Sequence, residues 1–246
     1  MNSTNMFSIF ADFPDLLVVI SDKSDGPMKL QGDGKFIQGV IKNRNKFFKK
    51  LNITNNAVVS AGLVHGNQVK MVSKSDVRKF IQGTDALITE EKNLFLSITI
   101  ADCLPIFIYD PIKEVVSLVH GGWRSLAGGI ISYTLKGFER RGIDPRNLLV
   151  GIGPGIGRCH FEFKEDVLSK FGEYDDAIKK HSGKNFIDLK KVAQMQLVAE
   201  GVKKEHIEIN PLCTYCESEK YFSNRRDKSV PLKTMVAVIG TKRLTS

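Results

Sequence analysis

Short apolar runs separated by polar turns set the plan of the chain. Leu16–Ile20 is continuously apolar and predicts a strand, with a polar loop following through Gly34. Over Phe36–Leu51, residues Ile37, Val40, Ile41, Phe47, Phe48 and Leu51 fall near a 3.6-residue period and predict a helix. Ala57–Val64 and Val69–Val72 read as strands around a His65-Gly66-Asn67-Gln68 turn, and Leu94, Leu96, Ile98 and Ile100 alternate as one face of another strand. Ile106–Tyr109 and Glu114–Val119 form a predicted hairpin across Asp110-Pro111-Ile112-Lys113.

A helix is expected over Ser125–Arg141, ended by Gly142 and by Pro145 beyond it. Leu148–Ile152 reads as a strand running into a glycine loop. Lys164–Phe171 and Leu189–Glu200 read as helical, and Ile207–Ile209 and Met235–Ile239 as late strands. Hairpins in the middle with helices elsewhere predict a mixed α+β fold, not a regular βαβ alternation. With no repeat and no linker-like tract, residues 1–246 read as a single catalytic domain.

Composition narrows the function classes. At 42% hydrophobic and 26% charged residues the chain has the balance of a soluble globular protein. Five histidines and four cysteines exclude a disulfide scaffold, a zinc-finger array and a four-copper oxidase site. The net charge of +9 raises a nucleic-acid reading, but the lysines are scattered and no RNA-binding module signature is present, so no nucleic-acid partner is expected. The N-terminus lacks a basic start, Asp12 and Asp15 interrupt its apolar stretch, and no window suits a membrane span. A cytoplasmic protein with free thiols, no membrane contact and no obligate protein partner is the expectation.

Three residues stand at predicted strand ends: His65, Cys103 and His120, both histidines being followed by glycine. If Asp110 faces Lys113 across the hairpin, the same register sets Cys103 opposite His120 on one face, close enough to share an ion. Two imidazoles and one thiolate match a catalytic zinc site, which keeps a further position for water or substrate. The competing reading is a buried thiol near two unrelated histidines. A blue-copper centre has the same His₂Cys set but needs a weak axial ligand, and neither the Cys103 nor the His120 segment offers a methionine.

The loop Gly151–Arg158 fits neither dinucleotide nor P-loop spacing, leaving an anion nest or a plain bend. Arg44, Arg124, Arg158, Arg225 and Arg226 lie in or beside these segments. Their guanidinium forks suit phosphate or carboxylate ligands, or else brace carboxylates such as Asp102 and Asp227. Cys213-Thr214-Tyr215-Cys216 is a redox pair, half a zinc site completed by Cys159 and His160, or simply buried; the last reading is preferred from sequence.

Together, the segments TDALIT (84–89), TIADCLPIFIYD (99–110), VHGGWRSLAGGI (119–130), GIGPGIGRCHFEF (151–163) and CTYCESEKYFSNRRDK (213–228) resemble the polyphenol oxidase/laccase-domain family of zinc-dependent purine nucleoside phosphorylases. The resemblance implies metal ligation by His65, Cys103 and His120 and a four-layer α/β/β/α architecture, similar to the catalytic domain of cytotoxic necrotizing toxins. Leu63, Gly121, Ser125 and Asn224 depart from the family's usual residues, and none removes a ligand.

The resemblance further implies phosphorolysis of adenosine, inosine, guanosine or methylthioadenosine to base and ribose 1-phosphate, with zinc-dependent adenosine deamination as a second activity. Catalytic roles then fall to Cys103, His120 and Asp102, and phosphate binding to Arg44, Arg158 and Arg225. Zinc is expected ahead of copper, and the partners are a purine nucleoside and phosphate. The alternatives are a Cys103–His120 hydrolase or amidase acting on peptidoglycan precursors, and a copper-dependent polyphenol oxidase.

Overall fold

The structure, a computed structural model, describes residues 6–30, 34–163 and 165–243. Its first half contains β1 (Leu16–Ile20), α1 (Gly34–Lys50), β2 (Val58–Gly62), β3 (Val69–Met71), β4 (Phe80–Gln82), β5 (Ala86–Thr89) and β6 (Phe95–Ile100). The central hairpin is β7 (Leu104–Asp110) and β8 (Val115–Gly121), followed by α2 (Trp123–Ala127), α3 (Ile130–Glu139) and β9 (Leu149–Ile152). Next come β10 (Glu162–Phe163), α4 (Glu165–Leu168), β11 (Ile178–His181), β12 (Lys184–Ile187) and α5 (Leu189–Ala199). The chain then forms β13 (Ile207–Ile209), α6 (Asn224–Asp227) and β14 (Met235–Thr241).

Two mixed sheets stack face to face, one ordered β1-β14-β6-β2-β4 and the other β13-β9-β7-β8-β5-β3, with a small β10-β12-β11 sheet beside them. Period-two alternation divides each strand's side chains between two cores. On β14, Met235, Ala237 and Ile239 face the inter-sheet core, while Val236 and Val238 meet Phe47 and Phe48 of α1. On β7, Phe107 and Tyr109 face the inter-sheet core, while Leu104, Ile106 and Ile108 meet α3 and α5. The result is a four-layer α/β/β/α sandwich, as expected. Among the described residues, no helix is long and apolar enough to cross a membrane.

Several elements differ from expectation for identifiable reasons. The helix expected over Ser125–Arg141 is broken into α2 and α3, because Gly129 adopts φ 78°, outside helical space. The hairpin closes with Asp110 facing Val115, not Lys113, so Pro105 and not Cys103 lies opposite His120. Asp110 causes this: its carboxylate accepts the amides of Ile112 and Lys113, and Glu114 turns the chain at φ 55°. The shift is two residues, which preserves the face. Lys164 lies outside the described residues; beyond α4 the chain continues as a distorted 3₁₀ segment with non-helical Phe171 and Tyr174, not as a helix through Phe171. The β11–β12 hairpin was not expected: Ser182 and Gly183 turn it at φ 50° and 72°.

Strand direction gathers the chemistry at one end of the sandwich. Because β2 runs parallel to β6 and β7 antiparallel to β8, the ends of β2, β6 and β8 and the start of β7 share one edge. The starts of β5 and β14 and the ends of β9 and β13 reach the same edge. His65, Asp85, Cys103, His120, the glycine loop, the CxxC segment and Arg225 therefore all sit at this rim.

Candidate metal centre

His65 follows β2 in the left-handed region, at φ 58°, and Cys103 precedes β7 directly after Asp102, at φ 84°. His120 is the penultimate residue of β8 and is buried. The Cys103 Sγ lies 3.9 Å from His65 Nε2, and the two imidazoles meet edge to face with centroids 4.9 Å apart. One donor atom from each of the three residues lies within 4.8 Å of the others. A tetrahedral zinc with sulfur and nitrogen ligands sets such atoms about 3.6 Å apart, so only a small contraction is needed.

Space at the centre is kept by Gly122. A Cβ there would stand 3.1 Å from His65 Cδ2, 3.3 Å from Cys103 Sγ and 3.5 Å from His120 Cε1. The cradle that a methyl group would fill, lined by two imidazoles and a thiol, fits a metal ion.

Asp85, wholly buried before β5, organises both histidines. Its Oδ1 accepts His120 Nδ1 at 2.9 Å and the His65 amide at 2.9 Å; its Oδ2 accepts Gly66 N at 2.8 Å and Val64 N at 3.2 Å. The Asp85 carbonyl also accepts the His120 amide. Fixing Nδ1 as the donor leaves Nε2 of His120 as its free ligand atom. Burial pushes the Asp85 carboxyl up, but the bonds from His120, Gly66 and Val64 hold it below its ordinary value.

Cys103 and His120 polarise each other. Burial pushes the thiol up, yet His120, helped by His65, brings it down to about 6. Burial likewise opposes charging His120, but Cys103 and Asp85 raise it to about 9. Each thus favours the other's charged form, thiolate beside imidazolium, in the metal-free pair.

The other expected residues divide. Asp102 does not touch either histidine; its carboxylate accepts Thr214 Oγ1 and the Arg225 amide, both at 2.7 Å. Arg225 is thus tied to the residue before Cys103, and its guanidinium donates to the Glu162 carbonyl at 3.2 Å. Arg44 is not brought to the trio. It lies on the apolar stripe of α1, donates to Ser60 Oγ, Ser97 Oγ and the Met28 carbonyl, and is lowered by burial to about 10. Arg158 lines a separate cavity of about 700 Å³ with Lys179, Lys190 and Cys213, which includes none of the trio.

The anion-nest reading of the glycine loop fails. Gly153 N donates to the Pro105 carbonyl, Ile156 N to the Asp102 carbonyl and Gly157 N to Cys213 Sγ. These glycines serve close packing: a Cβ on Gly155 would lie 2.5 Å from Leu104 Cδ2. The alternative of arginines bracing carboxylates holds for Arg226, whose Nε donates to Asp227 at 2.7 Å.

The chain is similar to proteins already known. Purine nucleoside phosphorylase YlmD of Geobacillus stearothermophilus is 33% identical over 217 residues, covering 82% of this chain and 79% of its own. Purine nucleoside phosphorylase YfiH of Shigella flexneri is 32% identical over 195 residues, covering 77% and 76%. The crystal structure of YlmD from G. stearothermophilus superposes with a TM-score of 0.88 at 30% identity, covering 94% of this chain and 93% of that one. Residues 32–242 match the family described as multi-copper polyphenol oxidoreductase laccase, and the chain belongs to that family.

Proposed function

We propose that the chain is a zinc-dependent purine nucleoside phosphorylase. Phosphate attacks the anomeric carbon of adenosine, inosine, guanosine or methylthioadenosine, the bond to the purine nitrogen breaks, and the products are free base and a sugar 1-phosphate. Hydrolytic deamination of adenosine to inosine and ammonia is a second activity of the same site. The observation that carries the reading is the convergence of His65, Cys103 and His120 on the cradle beside Gly122; the names of the relatives supply the substrate class.

His65 Nε2, Cys103 Sγ and His120 Nε2 would hold the ion. A bound zinc supplies Lewis acidity and positive charge at the reacting atoms. Asp85 keeps His120 in the tautomer that offers Nε2. The Asp102 carboxylate ties Thr214 and the Arg225 amide to the segment that carries Cys103, and Arg225, so held at the rim, would position phosphate. A multi-copper site is disfavoured because His160 lies with the other cysteines, while His181 and His206 lie on β11 and just before β13, so two imidazoles remain for the trio. A blue-copper site is disfavoured because neither the Cys103 nor the His120 segment offers an axial methionine.

One observation supports a second reading. The Cys103–His120 pair, with its lowered thiol, is also the nucleophile and base of a metal-free cysteine hydrolase. Zinc-replete protein incubated with adenosine and phosphate separates the two when adenine, inosine and ribose 1-phosphate are followed individually. Phosphorolysis yields adenine and ribose 1-phosphate in equal amounts only when phosphate is present. No product in zinc-replete protein removes the proposal; hydrolase activity that survives chelation and is lost on thiol alkylation favours the alternative.

A further inference from the structure

At the same rim, outside the trio, the fold brings together Cys159, His160, Cys213 and Cys216. All four donor atoms lie within 4.8 Å of one another. Cys159 Sγ is 3.7 Å from Cys216 Sγ, and Cys216 Sγ is 3.4 Å from His160 Nδ1. A tetrahedral zinc with bonds of about 2.3 Å to sulfur and 2.0 Å to nitrogen separates two sulfurs by about 3.8 Å and a sulfur from a nitrogen by about 3.6 Å. Both observed spacings are close to those edges without any rearrangement.

The surroundings are those of a ligand shell. The Gly157 amide donates to Cys213 Sγ at 3.1 Å. A Cβ on Gly157 would stand 3.2 Å from Cys159 Sγ and 3.4 Å from Cys213 Sγ, so glycine is what lets the two segments close. His160 is oriented by stacking on Tyr215, with centroids 3.9 Å apart and planes 14° from parallel. Arg226 braces the turn between the two cysteines by donating to the carbonyls of Thr214 and Tyr215. Buried Lys190 donates to the carbonyls of Asn210 and Leu212, placing a positive charge beside a group in which three thiolates exceed the charge of one zinc.

We infer that Cys159, His160, Cys213 and Cys216 form a second, structural zinc site. Four protein ligands close the coordination sphere, leaving no position for substrate, and this separates it in kind from the three-ligand trio. Its mechanical effect follows from the contacts. The ion would clamp the 155–160 loop to the 213–216 segment, already joined by a bridge between Gly155 and Cys213. Thr214 on that segment holds Asp102, the residue before Cys103. The second ion would therefore support the wall of the first site without taking part in chemistry.

Metal analysis of the purified full chain tests this, with cobalt substitution as the spectroscopic probe. The expected content is two zinc per chain, falling to one in Cys159→Ser/Cys216→Ser and to one in His65→Ala/His120→Ala. The latter protein leaves the second cluster untouched. Loaded with cobalt, it should show thiolate charge-transfer absorption about three times that of a single-thiolate site, as three sulfur ligands require. The single variant Cys216→Ser, at an exposed position, should weaken retention of the second zinc even if the double variant folds poorly. A single wild-type zinc that is lost in His65→Ala/His120→Ala, a zinc content unchanged by Cys159→Ser/Cys216→Ser, or a Cys159–Cys216 disulfide in unreduced protein would each overturn the inference; a single zinc kept in His65→Ala/His120→Ala and lost in Cys159→Ser/Cys216→Ser would uphold it and count instead against the ion at the trio.

Discussion

Asp85→Asn is the most informative single change at the trio. Each carboxylate oxygen now accepts two N–H groups: Oδ1 those of His120 and His65, Oδ2 those of Gly66 and Val64. Asparagine fits in volume, but its amide nitrogen must face one of those pairs, donor against donor. A hydrogen bond to a charged acceptor contributes roughly 1.5–3 kcal/mol, so loss of even one net bond lowers stability by about that amount. For a chain of 246 residues, about 1 kcal/mol corresponds to roughly 2–4 °C in Tm, giving an expected drop on the order of 3–12 °C in metal-free protein. Separately, changes to the partner of a metal-ligating histidine typically weaken metal binding about 10–100-fold. Chelator competition reads the second effect and thermal unfolding of the metal-free protein reads the first. Zinc affinity within about twofold of wild type, together with an unchanged Tm, would refute the role given to Asp85.

Three further outcomes follow from the same geometry. In metal-free protein the Cys103 thiol, lowered to about 6, should react with iodoacetamide at a rate that levels off by about pH 7, whereas an ordinary thiol gains rate to about pH 9.5; zinc should suppress the reaction, and a normal profile would contradict the thiolate–imidazolium pair. Gly122→Ala should weaken zinc binding about tenfold with little change in thermal stability of the metal-free protein, because φ of −72° accepts alanine and the exposed His65 ring can shift away from the new methyl; unchanged zinc affinity would show that the ion sits elsewhere. Arg44→Met should leave KM for phosphate within about twofold, its guanidinium being spent on Ser60, Ser97 and Met28, while Arg225→Ala should raise it about tenfold or more, in keeping with loss of a charge-assisted phosphate contact; the reverse ranking would return the phosphate role to Arg44.

Local pattern made much of this legible, and its failures have physical causes. The alternation of Leu94, Leu96, Ile98 and Ile100 identified the inter-sheet face of β6, but could not show that Phe95 is covered by α1. The candidate trio was legible because each member sits at a strand end, and the family motifs pointed to the same residues. The register invoked to join Cys103 to His120 was displaced by the Asp110 turn, and survived only because a two-residue slip keeps the face. Asp85 went unassigned although it stands directly before the apolar run of β5, because its partners come from β8 and from the loop after β2. Arg44 was read by its charge, whereas its spacing from Val40, Phe47 and Phe48 already marked it as facing the core. The cluster of Cys159 and His160 with the CxxC segment depends on β9 and β13 ending side by side, a parallel pairing that local pattern does not encode.

The central claim is that one ion is shared by residues 65, 103 and 120. Anomalous scattering recorded on crystals across the zinc edge tests it most directly. A zinc peak within bonding distance of His65 Nε2, Cys103 Sγ and His120 Nε2 together is the expected result. No peak there, in crystals of protein that still cleaves nucleosides with phosphate, would contradict it.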